Sequence, residues 1–110
     1  MMQSFPPAAR TFKDFLLTGA QTGTAIWTPA NGFYIVLTEL GITLSEPAIV
    51  TIFRGNTNEA GKRILYGRFP VGIDRVFVEP VVLGKDEVLR ITTNTGTCYG
   101  CCSGYELIAR

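Results

Sequence analysis

Cys98, Cys101 and Cys102 form the one cluster of soft, nucleophilic side chains in the chain, spaced C-x-x-C-C. Thiolates bind zinc, but a closed zinc site takes four soft ligands. The sequence holds no histidine and three cysteines, so one chain supplies too few. A redox C-x-x-C lowers its thiol pKa at the start of a helix, whereas TCYGCCSGYELIA around this one is rich in strand formers. An odd count leaves one thiol over once an intrachain disulfide forms. The surroundings favour three small, buried, reduced residues in a strand. A crosslink within or between chains through Cys98, Cys101 and Cys102, and metal or redox chemistry, are the alternatives.

The remaining polar residues do not assemble a reaction centre. Asp14, Glu39, Glu46, Glu59, Asp74, Glu79, Asp86, Glu87 and Glu106 fall mostly in turns or at outward strand positions, and no spacing pairs two of them as a glycosidase requires. Ser4, Ser45 and Ser103 have no histidine base and no G-x-S-x-G elbow. The glycines at 19 and 23 precede a strand, not a helix N-terminus, so they are no phosphate cradle. Tyr34, Tyr66, Tyr99 and Tyr105, with Trp27, could line a sugar-binding face, which makes a carbohydrate-binding module the alternative reading. Trp27, a lone aromatic beside a turn, reads as core. The expectation is a non-enzymatic chain with no cofactor and no metal.

These residues sit on elements with strand character. Pro29-Ala30-Asn31-Gly32 is a turn: proline presets φ for its second position and glycine accepts the positive φ that closes it. The run FYIVLTELGITL, residues 33–44, follows, dominated by β-branched and aromatic residues. Strict alternation puts Val36, Thr38, Leu40, Ile42 and Leu44 on one face. Phe33, Ile35 and Leu37 begin the other, which turns polar at Glu39. That pattern implies that the first half of the strand is covered on both sides, by the N-terminal segment or a second sheet, or by a subunit interface.

Further strands are expected over residues 24–28, 48–54, 63–69, 75–83, 88–93 and 97–109, with a bulge near Gly104 and a polar, solvent-facing loop over 55–62. Gly67 and Pro70 place 63–69 near an edge; Pro80, which cannot donate to a ladder, marks an edge or a break. Residues 1–17 read as an extended N-terminal arm, with Pro6-Pro7 disfavouring helix, and residues 18–110 as the domain. Roughly seven or eight short strands with turns about every ten residues spell an all-β fold, an antiparallel sandwich or barrel.

Bulk properties narrow the class. The chain has 110 residues, 46% hydrophobic and 17% charged, with a net charge of +1. The charge fraction lies below the usual ~25%, which favours a protein that buries surface in an assembly. No clustered basic face suggests nucleic acid, no long apolar run suggests a membrane span, and the prolines near the N-terminus interrupt any signal peptide.

Three segments carry a resemblance: GTAIWTPANGFYIVLTEL at 23–40, LGKDEVLRITT at 83–93 and SGYE at 103–106. Together they resemble small β-sandwich proteins encoded among the structural genes of tailed bacteriophages. The resemblance implies a jelly-roll-like sandwich and a virion component, of head-decoration or tail-associated type, made in the bacterial cytoplasm. It implies cyclic assembly with copies of itself, as a trimer, and contact with other virion proteins. It brings no catalytic residues. The expected contacts are the arm, including Phe12 and Phe15, and Phe33, Ile35 and Leu37 of the central strand.

Overall fold

The computed structural model describes residues 10–109. Eight strands follow one another: β1 (Thr11–Thr18), β2 (Gln21–Trp27), β3 (Phe33–Leu44), β4 (Ala48–Arg54), β5 (Arg63–Phe69), β6 (Gly72–Val82), β7 (Leu89–Thr93) and β8 (Thr97–Ile108). A short 3-10 turn, Ala60–Lys62, precedes β5. Among the described residues no helix is long and apolar enough to cross a membrane.

The strands build two antiparallel sheets, sheet A in the order β1-β8-β3-β6 and sheet B in the order β2-β7-β4-β5. The pairs β1·β8, β2·β7, β3·β6 and β4·β5 are the rungs of one long double-stranded ribbon. Folding that ribbon over itself adds the seams β3·β8 and β4·β7. This is the jelly-roll way of making two sheets from one antiparallel ribbon.

The inward faces meet in a single core. Ile35, Leu37, Leu40, Ile42 and Leu44 of β3 face Val50 and Ile52 of β4, Leu89 and Ile91 of β7, and Trp27 of β2. The turn before β3 closes as its residues dictate, with Phe33 N–H donating to the Ala30 carbonyl at 2.9 Å and Gly32 at φ +86°.

The two-sided apolar pattern of β3 has a local cause. Leu37 pairs with Gly104 and Glu39 with Ser103, so Thr38 is an extra residue opposite β8. A bulge of one residue reverses which side the following side chains take. Ile35 and Leu37 before it, and Leu40, Ile42 and Leu44 after it, therefore all point into the same core. The expected second covering layer is not needed. Ile35 and Leu37 are fully buried inside the domain, which removes them from the expected contact set, and Phe33 is half-buried at the strand end.

The bulge is held from outside. Arg10 donates to Thr38 Oγ1 at 2.9 Å and to Ser103 Oγ at 3.3 Å, and pairs with the Glu39 carboxylate. Thr38 Oγ1 in turn donates to the Ser103 carbonyl at 3.1 Å. Gly104 is required opposite: a Cβ there would collide with the Val36 carbonyl oxygen.

On the other side of β3 the same point absorbs more chain. Leu37 pairs with Val81 but Glu39 with Val76, so Phe77, Val78, Glu79 and Pro80 arch out opposite Thr38. Pro80 fits this break in an edge strand, since it has no N–H to leave unpaired.

β1 pairs with β8 along its whole length, from Thr11↔Gly104 to Thr18↔Thr97. The expected division at residue 17 therefore falls inside a strand of sheet A, and Phe15 packs on the core. The expected arm over residues 1–9 lies outside the described residues.

Candidate functional site

A sheet with one face on a core should turn polar residues outward. Sheet A departs from this. Cross-strand register gives three outward rows: Leu16–Tyr99–Thr43–Gly72, Asp14–Cys101–Gly41–Asp74 and Phe12–Ser103–Glu39–Val76. Phe12 is 68% exposed and Val76 69%, with Leu16 and Tyr99 also open to solvent. Beyond the bulge Val36 pairs with Val82 on the same side, and Val82 is exposed. Val78, on the β6 arch, is 97% exposed.

Between these apolar residues lies a shallow hollow lined by Phe12, Glu39, Gly41, Asp74, Val76 and Cys101. Gly41 creates it. A Cβ at Gly41 would stand 2.9 Å from Asp74 Oδ1 and 3.9 Å from Cys101 Sγ. Glycine thus lets the carboxylate of β6 and the thiol of β8 approach the β3 backbone.

The three cysteines separate by face. Cys98 and Cys102 point into the core and are fully buried, while Cys101 points outward from the centre of sheet A. All three are free thiols. Cys98 and Cys102, four residues apart on one strand, are separated by about 13 Å, beyond the reach of a disulfide. Cys101 and Cys102 face opposite sides of the sheet. No intrachain pair is geometrically available, so the crosslink reading narrows to Cys101 between chains. Burial raises the Cys98 thiol pKa. Burial, with the neighbouring Cys101, pushes Cys102 up to about 12. Both stay protonated and unreactive. Among the described residues no group of three metal-ligating side chains converges.

The outer face of sheet B has a different character. Its rows run Arg68–Ile49, Tyr66–Thr51–Thr92 and Arg63–Phe53–Arg90–Ala25. Arg63 stacks on Tyr66 at 4.6 Å and donates to Asn58 Oδ1 at 2.9 Å. Arg90 donates to the carbonyls of Gly55 and Gly23 at 2.8 and 3.0 Å, pinning the loop after β4 against β2. Phe53 is buried beneath this arrangement.

Comparison with known protein families, curated proteins and solved structures finds no match. Of the expected contact residues, Phe12 alone stands fully at the surface. Leu16, Val76 and Val82, which share its face, were not singled out by sequence, and Tyr99 was named only for a sugar-binding face; only the register of β1, β3, β6 and β8 brings them to one side.

Register puts Tyr34, Tyr99 and Tyr105 on the outer side of sheet A and Tyr66 on sheet B. Tyr34 and Tyr105 are half-buried, Tyr99 lies six residues along β8 from Tyr105, about 20 Å away, and Trp27 is 1% exposed with its indole N–H held by Glu106 at 2.8 Å. A flat stacking platform for a sugar needs exposed rings close together on one face.

Proposed function

We propose that this chain is a non-enzymatic structural protein that assembles with copies of itself, as a decorating or tail-associated component of a viral particle. The observation that carries the reading is the outer face of sheet A, where Phe12, Leu16, Tyr99 and Val76 meet solvent in place of the polar residues a lone sandwich would turn outward. Exposed apolar faces of this kind mark contact surfaces. The jelly-roll strand order supports the class, since viral capsid domains use it, as do lectins and cupins. The motif resemblance to virion proteins of tailed bacteriophages supports the setting.

The chemistry of such a protein is burial and shape. The thiols that could have acted as nucleophiles are buried and protonated at Cys98 and Cys102. Light scattering on the purified chain across a range of concentration tests the reading. A mass several times that of one chain, lost when Phe12 and Leu16 are both replaced by serine, is the expected result. A single-chain mass at every concentration overturns it. A glycan array measures the carbohydrate-binding alternative, for which selective sugar binding lost on Tyr99→Ala would be the positive result.

A further inference from the structure

The two outer faces of the sandwich carry opposite charge. The outward rows of sheet A hold Asp14, Asp74 and Glu39 and no lysine or arginine, with Arg10 over Phe12 and Glu39 and Arg75 at the rim of the hollow beside Asp74 as the cations on that side. The rows of sheet B hold Arg63, Arg68 and Arg90 and no carboxylate. Glu39 is already engaged by Arg10, and Arg90 by backbone carbonyls. Among the described residues Asp14 and Asp74 on one face and Arg68 on the other have no ion-pair partner, and neither has Arg63, whose Nε donates to Asn58 and whose guanidinium stacks on Tyr66. Each face also offers apolar surface, Phe12, Leu16 and Val76 on sheet A and Tyr66 and Ile49 on sheet B.

Resting on the self-assembly reading above, we propose that copies pack head to tail, the outer face of sheet A of one copy on the outer face of sheet B of the next. The rival arrangement, sheet A against sheet A about a two-fold axis, would set Asp14 and Asp74 against their own counterparts. Like charges brought together in a desolvated contact are strongly unfavourable. The spacing is compatible as well. Asp14 and Asp74 lie three strand spacings apart, about 14 Å, and Arg63 and Arg68, opposite Phe53 and Ile49, lie about 13 Å apart along β5. Matching them turns the strands of one copy across those of the next, an orthogonal packing of sheets. Because the faces are on opposite sides of the sandwich, each contact adds a copy in the same direction. A heterologous contact that does not close propagates, so the product is an open column or tube wall and not the closed trimer expected from the sequence.

The test is a pair of charge reversals, Asp14→Lys/Asp74→Lys and Arg63→Glu/Arg68→Glu, each checked for a cooperative thermal melt and followed by light scattering. Each variant alone sets like charge against like, so half-assembly should need at least tenfold more protein than the wild type. Mixing the two restores opposite charges at every contact and should restore assembly to within a few-fold of wild type. If either reversal fails to fold, the neutral variant Asp14→Asn/Asp74→Asn or Arg63→Gln/Arg68→Gln takes its place, with a smaller loss expected at low salt and none at high salt. Assembly unchanged in the arginine variant overturns head-to-tail packing while leaving self-assembly through sheet A intact. So does a mixture that stays dissociated, or a wild-type mass that stops at a closed trimer. A wild-type chain that never assembles instead removes the self-assembly reading on which the packing rests.

Discussion

Trp27 donates its indole N–H to the Glu106 carboxylate at 2.8 Å, and this bond joins the two sheets. Trp27 ends β2 in sheet B and Glu106 lies near the end of β8 in sheet A. The second carboxylate oxygen accepts the Ala30 N–H, also at 2.8 Å, so the turn that launches β3 is tied to the same point. Glutamine offers one acceptor where two are used. Glu106→Gln should cost about 1–2 kcal/mol and Glu106→Ala about 2–3 kcal/mol, typical of losing charge-assisted hydrogen bonds, one of them to the buried Trp27 indole. Urea denaturation checks this: the midpoint should fall with an unchanged slope.

The bulge at Thr38 decides which side of β3 is the core. Deleting Thr38 restores strict pairing with β8 and turns Leu40, Ile42 and Leu44 outward. The deletion variant should fail to give a cooperative melt. Gly104→Ala tests the same place more gently, since its Cβ would collide with the Val36 carbonyl; overpacking of this kind costs about 1–3 kcal/mol. Cooperative unfolding of the deletion variant at wild-type stability would show that the bulge is dispensable.

Glu87 sets a pH dependence. Burial pushes its carboxyl pKa up, but the Gly84 N–H, Lys62 and Arg54 outweigh that and hold it below the ordinary carboxylate value. The Gly84 bond is 2.7 Å and the Arg54 and Lys62 contacts are 3.2 and 3.3 Å. A carboxyl whose pKa is depressed by folding stabilises the protein above its unfolded value, about 4.3, and loses that contribution as pH falls through the folded value. Glu87→Gln should therefore be less stable than wild type at pH 7, by about 1–2 kcal/mol. The gap between them should close as the solution is acidified below pH ~4. Thermal melts of both chains across that range measure it, and a gap independent of pH would contradict it.

Much of the fold was legible because local chemistry and the fold agree. Residues 33–44, 48–54 and 63–69 are strands at the bounds their β-branched runs and turns suggest. Gly67 and Pro70 mark an edge strand, and β5 is the edge of sheet B. Pro80 marks a break, and the β6 arch contains it. What was hidden depends on contacts between distant residues. Gly104 suggested an irregularity in the last strand, and the register does shift opposite it, but the extra residue is Thr38 on β3, which nothing in its own neighbourhood announces; the bulge exists because Arg10 and Ser103 hold it and Gly104 makes room. Without it, alternation assigns Ile35 and Leu37 to a surface they never reach. The exposed face was hidden for the same reason. Leu16, Tyr99 and Val76 are unremarkable strand residues one at a time, and become a surface only through the pairing of four strands.

Cys101 stands at the centre of the proposed contact face, while Cys98 and Cys102 are sealed in the core. The most direct measurement is the rate at which a thiol reagent labels the native chain as a function of protein concentration. One thiol of the three should react without denaturant, and its rate should fall at least severalfold as concentration rises and the face is covered by the next copy. A rate for Cys101 that is fast and the same at every concentration would contradict assembly through this face.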